Sequence, residues 1–152
     1  MLSQKTRYAL KALVLLAESE RQDKVPVLIS ELAHKGRIPQ KFLEAILLEL
    51  KHFGILRSKK GKGGGYLLGR TPDEIKVGEV VRIFDGPLAL VPCASPRHSG
   101  CDECRNDENA GVNVLFKEVR DATANILDGA TLAKVLQVQE KLRENKQVMY
   151  FI

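Results

Sequence analysis

The feature that most restricts this chain is a join between two periodicities. In PQKFLEAILLELKHFG, residues 39–54, the apolar positions are Phe42, Leu43, Ile46, Leu47, Leu50 and Phe53. That i, i+3, i+4, i+7 spacing predicts an amphipathic helix with one buried face. Directly after it, two short apolar runs, ILRS at 55–58 and YLLG at 66–69, enclose KKGKGGG. Two strand-like runs around a glycine-rich turn predict a β-hairpin. A lone hairpin is marginal in water, and an amphipathic helix needs something to cover its stripe. Other elements must therefore pack on both.

The preceding residues supply them. Residues 4–18 read as a helix apolar over most of its surface (Tyr8, Ala9, Leu10, Ala12, Leu13, Leu15, Leu16), which predicts a central, buried position. A brief helix at 29–35 turns Ile29, Leu32 and Ala33 inward, with Gly36 expected as its left-handed cap. Pro39 opens the next helix, where the first-turn N–H groups have no intrahelical partner to lose. Two short helices across a tight turn, followed by a basic-tipped hairpin, make a winged helix-turn-helix.

In that arrangement the face of the second helix opposite its apolar stripe carries Gln40, Lys41, Glu44, Glu49, Lys51 and His52. Lys59, Lys60 and Lys62 at the hairpin tip, with Arg57 at the strand end, offer charge-assisted contacts to phosphates. Gly63, Gly64 and Gly65, leading into Tyr66, would let the tip enter a groove without side-chain clashes. A nucleotide-cradling P-loop does not fit, because that pattern ends in Gly-Lys-Ser/Thr and opens a helix. Here the glycines run into Tyr-Leu-Leu and a strand.

Charge points the same way. Residues 1–70 carry 14 lysines and arginines against 6 acidic residues, a balance of +8, whereas residues 71–152 carry 10 against 13, or −3. A polyanion is expected for the first half, double-stranded DNA before an anionic membrane. A solvated basic surface is the competing account on charge alone. No secretory signal is visible, and the apolar stretch YALKALVLLA is interrupted by Lys11 and too short for a bilayer, so a cytoplasmic location is expected.

A turn and a helix at 77–84 follow, with Val77, Val80, Val81 and Ile83 or Phe84 inward. Helical periodicity returns from Val112 to Leu127, and a last helix spans 131–145 with Leu132, Val135, Leu136 and Leu142 apolar. The stripe Val112, Leu115, Phe116, Val119, Ile126 and Leu127 has more apolar surface than so small a chain easily buries, which predicts a dimerisation helix. A two-fold homodimer would match a palindromic site. The expected organisation is mainly α with a small β-hairpin: a winged helix-turn-helix over 1–85, a cysteine-containing sensor loop over 86–111, and dimerisation and C-terminal helices over 112–152.

The three cysteines, Cys93, Cys101 and Cys104, fall within twelve residues. An odd number argues against a disulfide framework. Thiolates are soft ligands for iron–sulfur clusters and zinc, and a C-x-x-C pair can chelate one metal. A fourth ligand would come from His98, from Asp102, Glu103, Asp107 or Glu108, or from a partner subunit. A metal-free thiol switch through Cys101 and Cys104, and cysteines that merely fill a loop, are the competing accounts. The C-D-E-C pair lacks the strand-to-helix setting of a thioredoxin-like enzyme, and no nucleophile–base constellation occurs elsewhere. No enzymatic activity is expected.

Together RYALKALVLLA, IPQKFLEAILLELKHFGIL, GKGGGYLLGR and VGEVVRIFDGPL resemble the Rrf2 family of winged-helix regulators, which contains IscR, NsrR and CymR. The resemblance covers nearly the whole chain. It implies a homodimeric transcription factor, usually a repressor and sometimes an activator, whose long penultimate helix crosses that of its partner. It implies base reading from the start of the recognition helix, here Pro39, Gln40, Lys41, Phe42 and Glu44, and insertion of a wing residue into the minor groove. Lys60 stands where the iron–sulfur member has arginine, and Pro39 replaces a hydroxyl residue, so base preference does not transfer. The iron–sulfur members space their cysteines differently. FKEVRDATANILDGATLA is closer to relatives with a C…C-x-x-C…C loop, whose fourth cysteine would fall near Ala110. CymR-like members imply a further alternative, a cofactor-free regulator controlled by a protein partner or small metabolite.

Overall fold

The computed structural model describes residues 2–91, 94–96 and 110–150. Among them are six helices and one two-stranded antiparallel hairpin: α1 (Gln4–Arg21), α2 (Ile29–Gly36), α3 (Gln40–His52), β1 (Leu56–Lys59), β2 (Gly65–Leu68), α4 (Val77–Asp85), α5 (Ala110–Gly129) and α6 (Leu132–Tyr150). None of the described helices is long and apolar enough to cross a membrane.

α1 is the central helix, as its composition predicts, and runs three residues further than expected. Ser3 caps it by accepting the Thr6 N–H at 3.1 Å. Ala9, Ala12, Leu13, Leu16 and Ala17 follow the helical repeat and are fully buried. Against them pack Leu32 of α2, Leu43, Ile46, Leu47 and Leu50 of α3, and Leu56 and Leu68 of the hairpin. Leu132 and Leu136 belong to this same core, so the start of α6 is packed with the helix-turn-helix. Each fully buried leucine contributes about 1.5–3 kcal/mol from burial.

Two local expectations fail for visible reasons. The left-handed residue after α2 is Arg37, at φ 49° and ψ 48°, not Gly36. Gly36 is the last helical residue, and a Cβ there would lie 2.9 Å from Ile38 Cδ1. Its small size serves packing, and the turn falls one residue later. The apolar stripe also predicts Phe53 in the core, but Phe53 is 51 % exposed. The chain reverses at Gly54, φ 71°, and Ile55 takes the last core position instead. The Ile55 N–H donates to the Leu50 carbonyl and the Gly54 N–H to that of Lys51, both at 3.0 Å, so α3 ends in a Schellman motif.

The hairpin pairs Leu56 with Leu68, Arg57 with Leu67, Ser58 with Tyr66 and Lys59 with Gly65. It is held at a second place. Val27, just before α2, pairs with Tyr66 through reciprocal N–H···O bonds of 2.9 and 2.8 Å. This fixes the wing to the segment that leads into the helix-turn-helix.

Candidate nucleic-acid interface

With Leu43, Ile46, Leu47 and Leu50 in the core, the opposite face of α3 is left to solvent. Pro39 caps the helix and is exposed, as are Gln40, Lys41 and Glu44. Phe42 is half-buried: its ring meets that of Tyr8 edge-on at 5.8 Å, so much of its area serves the α1–α3 contact. Tyr8 accepts a 2.9 Å hydrogen bond from Gln4. Gln can pair bidentately with adenine and Glu can accept from cytosine N4, which suits this face to base edges.

The wing lies beyond the far end of the helix. Lys59, Lys60 and Lys62 are exposed, as is Arg57 on β1. Lys51 on α3 donates to Ser58 Oγ at 2.7 Å, joining the end of the recognition helix to the hairpin. The glycines divide into two kinds. Gly61 and Gly63 have φ of 90° and 73° and open space around them, as a tight reversal requires. Gly64 and Gly65 press on the protein's own backbone, since a Cβ on either would lie 2.4 Å from the carbonyl oxygen of Lys59 or Val27 respectively. Gly64 is buried and Tyr66 half-buried. Two of the glycines thus close the wing rather than thin its tip.

A joint connects the helix-turn-helix and wing to the rest. At the start of α4, Gly78 leaves room for Asp128 of α5, whose Oδ1 would lie 2.1 Å from a Cβ. Arg82 then grips Asp128 with two bonds of 2.6 and 2.8 Å. Glu79 accepts from Arg70, just after the wing, at 2.7 Å. The backbone repeats the connection: the Val77 N–H donates to Ala130 and the Leu132 N–H to Ile75, both at 2.9 Å. VGEVVR is therefore a docking surface for the turn between α5 and α6. No local signal in the sequence pairs Arg82 with Asp128 across 46 residues, and none marks Val27 as the wing's anchor.

The Arg82 hydrogen bonds hold Asp128 below the usual carboxylate range against the opposing cost of burial. A depressed folded value means that the contribution is complete above the unfolded value of about 3.9 and is lost as pH falls through the folded one. Replacing Asp128 with Asn should therefore lower stability at neutral pH. The gap from the parent should close below about pH 4 in urea titrations. Both partners are 40 % exposed, so solvent screening keeps the effect small.

On α5, Val112, Leu115 and Ile126 are 53, 56 and 72 % exposed, and Phe116, Val119 and Leu127 are half-buried. No residue of α5 whose burial is described is fully covered. Arg120, at the middle of this helix, ion-pairs with Asp121 and donates to the carbonyl of Ala94, which is itself buried. Arg82, Gly86, Pro87, Leu88, Pro96, Arg120, Asp121 and Ala124 line a cavity of about 350 Å³ beside that contact. Cys93, Cys101, Cys104, His98 and the acidic candidates Asp102, Glu103, Asp107 and Glu108 lie outside the described residues. Among the described residues, no group of three or more His, Cys, Asp or Glu could hold a metal ion.

The Rrf2 family model, described as iron-dependent transcriptional regulators, matches residues 2–138. An Rrf2-like HTH-type transcriptional regulator of Rhodobacter capsulatus is 38% identical over 138 residues, covering 90% of this chain and 92% of its own. Two solved structures superpose with a TM-score of 0.73. CymR, the global cysteine regulator of B. subtilis, is 27% identical, with 91% of this chain and 97% of its own covered. T. potens IscR is 26% identical, with 93% and 90% covered.

Proposed function

The chain belongs to the Rrf2 family of transcriptional regulators, which are not enzymes, and from that premise we propose that it acts as a homodimeric repressor on a palindromic operator, tuned by its cysteine loop. The observation that carries the DNA-reading half is the exposed face of α3 beside a wing with three free-standing lysine chains. Gln40, Lys41 and Glu44 face base edges, while Lys59, Lys60, Lys62 and Arg57 face phosphates, with Lys60 at the minor groove. The uncovered apolar stripe of α5 supports pairing with a second copy, which would set two reading heads across one two-fold axis.

For the sensing half, Cys93, Cys101 and Cys104 form a thiol-rich donor set of the kind that suits an iron–sulfur cluster or zinc, with His98 as fourth ligand. Cys93, Cys101 and Cys104, with His98, would hold such a centre, and it would supply a metal- or oxidation-dependent tie across the loop. The protein's own part is mechanical. Ala94 follows Cys93 directly, and its carbonyl is held by Arg120 of α5. About two turns further on, near the C-terminal end of α5, Asp128 is held by Arg82 of α4. A change in the loop thus has a continuous route to the reading head, through two guanidinium contacts and one helix. A coupling of about 1–3 kcal/mol, or 5–150-fold in operator affinity, is typical of such linkage.

The test is protein purified without oxygen, analysed for visible absorbance and for iron, sulfide and zinc per chain, with operator affinity measured before and after oxidation. Matching iron and sulfide, together with an affinity change lost in Cys93→Ser, Cys101→Ser or Cys104→Ser, is the expected result. Colourless, metal-free protein in which all three replacements leave both affinity and its oxidant response unchanged would overturn it. That second outcome favours a regulator controlled by a protein partner or small metabolite. One observation favours this reading in advance: Ala110 stands where the resemblance places a fourth cysteine.

A further inference from the structure

An amphipathic recognition helix is expected to be polar on its outer face. α3 is not. Along the line opposite its buried residues run Lys41, Ala45, Leu48 and His52, at spacings of four, three and four. Leu48 is 65 % exposed, yet stands at the middle of that line. A single exposed leucine is ordinary on a protein surface and needs no explanation by itself. This one adjoins Ala45 and lies one helical turn beyond Glu44 on the same outer face. Lys51, joined to Ser58 of the wing, flanks it.

We infer that Leu48 is a specificity-determining residue that contacts the 5-methyl group of a thymine in the major groove. The inference rests on the DNA-reading function above. Its surroundings favour DNA over a protein as the occupant: the adjoining wing carries Lys59, Lys60 and Lys62, all exposed, and so draws an anionic partner to this side of the molecule. Thymine is the base that shows an apolar group in that groove, and aliphatic side chains read it by contact rather than by hydrogen bonds. Four residues of helix advance about 6 Å. That is roughly two base-pair steps of about 3.4 Å each. Leu48 therefore reads a thymine about two steps from the base that Glu44 reaches, and Ala45 leaves space for its methyl group between them.

The operator sequence need not be known beforehand. The full chain selects its preferred duplexes from a random double-stranded DNA library. The selected duplex is then remade with deoxyuridine in place of thymine, one position at a time, which removes the methyl group alone. One thymine per half-site is expected at which uracil weakens binding about four-fold, the worth of one buried methyl-sized group. Leu48→Ala, at an exposed position, should melt like the parent, bind the thymine duplex about as weakly as the parent binds uracil, and no longer distinguish the two. Tight binding with thymine and uracil equivalent at every position would overturn the inference while leaving the DNA-reading function intact. So would a Leu48→Ala variant that keeps the thymine preference, or one that loses only self-association. A chain that selects no duplex at all would overturn both.

Discussion

Replacing Lys59, Lys60 and Lys62 together with alanine should lower DNA affinity at every sequence and flatten its salt dependence by roughly three in log–log slope per protomer, about one for each phosphate left without its lysine. All three side chains are exposed. None of them makes an ion pair among the described residues, so the fold loses nothing with them. The effect is accordingly separable: melting unchanged, affinity reduced, base preference kept. At low salt the parent and variant should differ most, and the two should converge as salt rises. Fluorescence anisotropy across a salt series measures this. Equal slopes for parent and variant would show that the wing does not touch phosphate.

Gly65→Val should produce the opposite pattern, a loss of stability first. Gly65 sits at φ 148°, outside the range that side-chain-bearing residues favour. A Cβ there would approach the Val27 carbonyl oxygen to 2.4 Å and its carbon to 2.6 Å. These are backbone atoms held in the Val27–Tyr66 bridge, so relief requires breaking that bridge or leaving the β-strand geometry. Backbone strain of about 1–3 kcal/mol adds to the lost pairing. A net loss of about 3–4 kcal/mol would lower the melting temperature of a chain this long by about 10 °C. Gly61→Ala is the control: its φ is also positive, at 90°, but nothing lies within 4 Å of the added carbon. Its cost should stay at about 1–2 kcal/mol, that of placing a Cβ-bearing residue at positive φ without a clash. Comparable melting temperatures for the two variants would mean that the Val27 contact is not what demands glycine at 65.

The contrast between these two positions shows what a sequence can convey. The stripe Leu43, Ile46, Leu47, Leu50 is legible because burial on one helix face imposes a short period, and each of these residues is indeed buried. The hairpin is legible because its turn must contain residues able to take positive φ, as Gly61 and Gly63 do. Closely spaced glycines, by contrast, look alike in a string. That Gly64 and Gly65 face carbonyls of Lys59 and Val27 follows from how distant segments meet, and no local period reports it. The same applies to Gly78, whose missing side chain makes space for the carboxylate of Asp128, far along the chain. Phe53 misled because the apolar repeat continues one residue past His52, the last helical residue, just before the chain turns at Gly54. The role of the cysteine loop is read from spacing and side-chain chemistry alone, since its thiols lie outside the described residues.

The bridge between Val27 and Tyr66 has a consequence for the thermodynamics of DNA docking. A hairpin attached at its base alone would sample many orientations when free, and fixing each backbone residue on binding would cost about 1–2 kcal/mol in conformational entropy. Here β1 and β2 are already ordered against the segment before α2, and the tip itself is closed by the Gly64 N–H, which donates to the Gly61 carbonyl at 2.9 Å. The wing is thus pre-organised, and most of its electrostatic attraction is available as affinity rather than consumed by ordering. Its distance from the recognition helix is likewise fixed before contact. Under the proposed function, the spacing between α3 and the wing then becomes a constant of the protomer, and any adjustment to different operators would come from the joint between α4 and α5.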